Sequence, residues 1–396
     1  MLIRNISLLY GKELDYIQNT NVRISGKHIG QIGTKLSPHK DETVLDCEGL
    51  LMMPGLINSH THIGDSIAKD IGIDLDIEEK IHPVSGFKQK ILKNSAKSHL
   101  TSFVKNSCIS MIRKGITSFI DFREGGIAGI DLLKNATLNI PIRPTILGRI
   151  EYYQDLKSIK NNTPIPKSFK LDLQNLLMNC DGLGISGPNE FSDSALEYFA
   201  TTRKIRAIHS SETEESNKIS QKVHGKTETQ RALLAKPNFL IHMTYASKKD
   251  LIMAIKNRVN IVICPRANGS LAEGIPDVNL MLDTGCNIAI GTDNVMINSP
   301  DMFREMDYLW KVSMGMKKKR LLPKSILKMA TTNASNLLGS KVGIIQNKKM
   351  ADCIFIEKHS IDLDPMHNPH ASIVQRASEN TIRAVMYEGE LVHGKI

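Results

Sequence analysis

The sequence lacks the usual cysteine frameworks. Its six cysteines (Cys47, Cys108, Cys180, Cys264, Cys286, Cys353) stand far apart with no Cys-x-x-Cys pair. That argues against a zinc ribbon and a disulfide scaffold, and leaves reduced, mostly buried thiols. No window approaches the ~20 apolar residues of a membrane helix, and the opening MLIRNISLLYGKEL has too short an apolar stretch for a signal peptide. A cytoplasmic chain without a membrane partner is expected. A concentrated basic motif is also missing: the net charge is +10, but the lysines and arginines are scattered and the one dense run is KKKR, Lys317 to Arg320. No aromatic residues interleave with it, so it reads as a solvated helix end, and nucleic acid is not favoured as a partner. With 41% hydrophobic and 23% charged residues, the composition is that of a soluble globular protein.

What is present first is an alternation. Both ends are rich in short strands with turn punctuation, from LIRNISLL and TNVRISGKHIGQIG at the start to MADCIFIE and TIRAVMYEGELVHGKI at the finish. Between them, eight short apolar segments alternate with helical patterns such as AKSHLTSFVKNSCISMIRK and DSALEYFATTR. The eight are the run into His60, GITSFIDF, IPIRPTILG, CDGLGISG, KIRAIHSS, NFLIHMT, RVNIVICP and CNIAIGTDN. Such repeated βα units predict an α/β fold, a closed (β/α)8 TIM barrel with its active site at the C-terminal strand ends. The barrel is assigned to residues 53–349, and a small β-sandwich domain built from both chain termini to residues 1–52 and 350–396. The segment from Ile63 to about Lys90 is the longest expected lid over the site.

The chemistry begins at LINSHTH. A His-x-His pair is weak alone, since 13 histidines in 396 positions give about 0.4 such pairs by chance. On a strand, however, residues two apart project to the same side, so His60 and His62 converge at the barrel mouth. Two convergent imidazoles suit Zn²⁺ or Fe²⁺. Further ligand-type residues close other predicted strands: His209 the fifth, His242 the sixth and Asp293 the eighth. Glu212 follows His209 by three positions in HSSETEE. A metal-activated water attacking an electrophilic carbon needs such a carboxyl to carry a proton to the leaving nitrogen. Cys264 reads as a buried strand-end thiol, because no base is paired with it.

Taken in order, PGLINSHTH, HSSE, IHMT, CPRANGSLAEGIPDV and GTDN resemble the amidohydrolase superfamily, in particular its mononuclear aminohydrolase branch of deaminases and chlorohydrolases. The tail MATTNASNLLG…VGIIQNKKMADCIFI is similar to the segment by which that family returns to its terminal β-domain. The resemblance implies that His60, His62, His209 and Asp293 ligate one divalent metal, Zn²⁺ ahead of Fe²⁺. It implies that His242 hydrogen-bonds the attacking water, that Asp293 accepts a proton from it, and that Glu212 protonates a ring nitrogen. Dinuclear members carry a bridging lysine at the end of the fourth strand, where this chain reads ISGPNEF, so one metal is expected.

The implied reaction is hydrolytic deamination of an aminated purine, pterin or pyrimidine with release of ammonia. Ring-opening C–N hydrolysis of an imidazolone, or loss of halide from a triazine, is the alternative in the same site. A nucleic-acid-binding protein on a degenerate barrel is a remoter one. Strand-end groups left over supply the candidate substrate contacts: Arg149, Asn189, Glu190 and Asn268, with Arg123, Glu124 and Tyr152 beside them. Asn294 and Ala267 stand where many relatives have glycine and serine, which leaves the substrate's identity open, as is a homo-oligomeric state.

Overall fold

The computed structural model describes residues 1–82, 85–317, 319–339 and 341–396; Lys318 of the basic run and Pro83 and Val84 of the long segment lie outside them. Nine parallel strand segments form one curled sheet. Seven barrel strands are Leu56–His62, Ile116–Arg123, Arg143–Arg149, Gly182–Ile185, Ile205–Ser210, Phe239–His242 and Asn260–Ile263. The eighth is split into Ile288–Ile290 and Asp293–Asn294. Its first half pairs with the seventh strand, and its second half pairs with the first, Asp293 opposite Thr61 and Asn294 opposite His62. The expected barrel therefore closes through the split.

The split has a local cause. At Gly291 a Cβ would lie 2.5 Å from the backbone nitrogen of His60, so only glycine lets the eighth strand pass this close to the first. Thr292 next to it exchanges two bonds with Asn58: Asn58 Nδ2 donates to Thr292 Oγ1 at 2.7 Å, and the Thr292 amide donates to Asn58 Oδ1 at 3.0 Å. Buried polar groups are thus satisfied where the ladder is interrupted. The chain then resumes as a strand with Asp293 at φ 61°, a conformation costly for a residue with a Cβ and sustained by the surrounding contacts.

Helices fill the outside of the barrel, many starting on a side-chain cap. Ser192, Thr213 and Ser247 accept from the amides of Ala195, Ser216 and Asp250, each cap contributing about 0.5–2 kcal/mol. The helical run expected after the long segment is a helix over Lys97–Arg113. The segment itself carries a 3-10 turn, Ile63–Ala68, and the helices Ile77–Ile81 and Phe87–Asn94.

Both chain ends join a second, eight-stranded sheet, in which Leu50–Pro54 pairs with Leu2–Tyr10 on one side and Cys353–Glu357 on the other. Period-two alternation gives it two buried faces. Leu50, Met52, Cys353 and Phe355 pack into a cluster with Ile3, Ile6 and Val22, whereas Leu51, Met53, Ile354 and Ile356 pack with the helices of the barrel. All six cysteines are buried and unbridged. Among the described residues no helix is long and apolar enough to cross a membrane.

Candidate metal centre and active site

The first, fifth, sixth and eighth strands bring their terminal side chains to one point. His60 Nε2 lies 3.3 Å from His209 Nε2 and 3.3 Å from Asp293 Oδ1, and His62 Nε2 lies 3.6 Å from the same Asp293 oxygen. Around a tetrahedral zinc with bonds of about 2.0–2.1 Å, donor atoms sit about 3.3 Å apart. His60, His62 and His209 have ligand atoms all within 4.8 Å of one another, and Asp293 shares a second such group with His60, so this cluster could hold a divalent ion. His242 Nε2 stands 4.0 Å from Asp293 Oδ2 and 3.4 Å from Glu212 Oε1, which places the sixth strand's histidine between the two carboxyls.

The outer hydrogen bonds turn the imidazoles inward. His209 Nδ1 faces the carbonyl of Ile185 at 3.1 Å, His62 Nδ1 faces Glu124 Oε1 at 3.0 Å, and His242 Nδ1 faces Asn268 Oδ1 at 3.1 Å. Each partner is an acceptor, so each Nδ1 carries the proton and each Nε2 presents a lone pair to the centre. His242, like Asp293, has positive φ, 70°, a conformation costly for a residue with a Cβ.

The neutral forms of His60 and His209 are favoured by burial. Burial pushes the His60 imidazole down to about 4, against the pull of Asp293, and burial with the neighbouring imidazoles holds His209 well below its ordinary range. Burial alone would raise Asp293, but the hydrogen bond from His60 and the neighbouring histidines outweigh it and hold its carboxyl well below the usual range. Neutral imidazoles and an ionised carboxylate are the forms a metal requires. Glu212 goes the other way: burial, with Asp293 and Glu273 nearby, raises its carboxyl despite His242. Cys264 lies within 4.8 Å of the His60 and Asp293 ligand atoms, yet burial raises its thiol far above the usual range, so it offers no thiolate.

The remaining expected contacts divide. Arg149 is buried, with its guanidinium 3.9 Å from Glu124 and 4.0 Å from Glu151. Asn189 donates to the Ser216 carbonyl at 3.0 Å, and Glu190 accepts from Ser186. Asn268 is committed at both ends of its amide, to His242 and to Thr244 Oγ1 at 3.0 Å, so it orients a histidine. Glu124, a candidate substrate group by its place after the second strand, instead holds His62. Sequence reasoning missed Lys88, Asp65 and Glu228. Lys88 donates to Glu124 at 2.8 Å, and Asp65 accepts from Asn294 and from the Met296 amide. Glu228 accepts from the Ser211 amide at 2.8 Å behind Glu212. Their partners lie 17 to 231 positions away in sequence, beyond any local spacing; only the strand-end position of Glu124 gave a signal.

Comparison with known proteins gives the family. Residues 51–392 match the amidohydrolase family. A protein of Methanothermobacter thermautotrophicus designated an aminohydrolase is 36% identical over 396 residues, 99% of each chain. The 5-methylthioadenosine/S-adenosylhomocysteine deaminase of Pyrococcus furiosus is 26% identical over 99% of this chain and 94% of its own. The zinc complex of atrazine chlorohydrolase from Arthrobacter aurescens shares the fold with a TM-score of 0.83 at 18% identity, over 99% of this chain and 95% of that one. The barrel with its returning terminal sheet, the convergent histidines and the match across 51–392 place this chain in the amidohydrolase family.

Proposed function

We propose that the protein is a metal-dependent aminohydrolase that replaces an exocyclic amino group of a heterocycle by oxygen and releases ammonia. The observation that carries this reading is the His242–Glu212 pair beside Asp293: a carboxyl raised by burial and a carboxylate kept ionised, on either side of one imidazole. Two carboxyls pushed in opposite directions mark an acid and a base. We assign His60, His62, His209 and Asp293 to hold a single Zn²⁺. Bound there, the ion supplies Lewis acidity that brings a water proton within reach near neutral pH.

The protein's own groups manage the protons. His242 orients the attacking water, and Asp293 takes its proton. Glu212, favoured in its protonated form, donates to the ring nitrogen of the amidine as the water oxygen joins the adjacent carbon. The proton held by Asp293 then passes to the exocyclic amine, which leaves as ammonia, while the new hydroxyl returns a proton to Glu212 and becomes the product's carbonyl. Arg149, Asn189 and Glu190 are proposed to contact the substrate. The deaminase designation of the Pyrococcus relative supports an aminated purine as the first class to try, before pterins and pyrimidines.

The test is a panel of these heterocycles incubated with zinc-loaded protein. Ammonia formed mole for mole with substrate loss supports the reading. Halide release from a chlorotriazine, or a ring-opened carboxylate without ammonia, contradicts it and points to the other leaving groups this site can serve.

A further inference from the structure

Lys88 is 2% exposed, although Lys90 and Lys93 on the same helix, Phe87–Asn94, reach solvent. A lysine is rarely buried unless paired. Its ammonium donates to Glu124 Oε1 at 2.8 Å, and the same oxygen accepts from His62 Nδ1 at 3.0 Å. Arg123 Nη2 at 3.5 Å and Arg149 Nη1 at 3.9 Å flank the carboxylate. On the Nδ1 side the other rings meet a neutral acceptor or, for His60, no hydrogen-bond partner among the described residues. His62 alone is held there by a carboxylate, and that carboxylate is pinned from the segment that follows the first strand.

We propose that Lys88 and Glu124 are positioning residues for the metal centre, coupling the Phe87–Asn94 helix to His62. Glu124 fixes the ring so that Nε2 faces the other donors, and Lys88 fixes Glu124. The carboxylate also strengthens His62 as a ligand. Coupling is reciprocal: a metal held by His62 stabilises the helix that carries Lys88. Neither residue touches the reacting atoms.

This inference rests on the proposed metal site, and the experiment separates the two. Zinc affinity is measured by chelator competition on wild type, E124Q, K88M and the double variant, each checked for folding by circular dichroism. Glu124→Gln is expected to weaken zinc binding about 10–100-fold, and Lys88→Met in the same direction. The double variant loses no more than E124Q, since the two act in series. Cobalt-loaded E124Q and K88M show shifted visible bands, and zinc slows amide exchange across residues 87–94 in wild type more than in K88M. Should E124Q not fold, K88M, which keeps Glu124 and His62, carries the same test. Wild-type zinc affinity and cobalt spectrum in folded K88M overturn the inference while leaving the metal site standing. A wild type that binds no zinc overturns both.

Discussion

His60 Nε2 and His209 Nε2 face each other across 3.3 Å, although 149 positions separate them in the chain. That separation matches two nitrogen ligands of one tetrahedral ion. A ligand that binds only the folded state stabilises it by mass action, about 2.7 kcal/mol at a hundredfold excess over Kd. Zinc is therefore expected to raise the thermal midpoint of wild type, and a chelator to reverse the rise. In His209→Ala the midpoint should not respond to zinc.

Glu212 separates binding from chemistry. Glu212→Gln keeps the hydrogen-bonding shape beside His242 but cannot deliver a proton to a ring nitrogen. Turnover is expected to fall about 10²–10⁴-fold, with zinc content unchanged because Glu212 is not among the four assigned ligands. Steady-state rates and metal analysis on the same preparation check both halves.

The sequence was informative where the fold repeats and silent where it does not. Strand-and-helix alternation predicted the barrel strands to within a few residues, and each histidine or aspartate closing a strand could be placed on one face, because strand ends share the C-terminal rim. What could not be read was which strand-end group meets which. Asn268 and Glu124 looked like substrate contacts, yet one holds His242 and the other His62. The segment after His62 read as a loop, whereas it folds into two short helices, one of which carries Lys88 inward.

Asn294 shows the same limit. Its departure from the glycine of many relatives pointed only to the substrate's identity, but its amide donates to Asp65 Oδ2 at 2.7 Å while Asp65 Oδ1 takes the Met296 amide at 3.0 Å. This clip ties the segment after Asp293 to the one after His62. Asn294→Ala leaves a buried Asp65 oxygen short of a donor, a loss of about 1–3 kcal/mol, readable as a lower urea midpoint.

The terminal sheet has its own pH signature. Arg23 donates to both oxygens of Glu42, at 2.9 and 3.1 Å, and with the His39 amide draws that carboxyl from its ordinary 4.5 to about 2. A carboxyl lowered in the folded state adds stability above its unfolded pKa and loses it as pH falls toward the folded value. Glu42→Gln is thus expected to be less stable than wild type at neutral pH. The gap should close between about pH 4.5 and 2, followed by denaturant melts across that range.

The most direct test of the account is the metal content of the purified protein and its ligand variants by elemental analysis. One equivalent of zinc per chain in wild type, and its loss in His209→Ala and Asp293→Asn variants that remain folded, is the predicted result. Wild type without stoichiometric metal after zinc loading, or variants that retain a full equivalent, would contradict it.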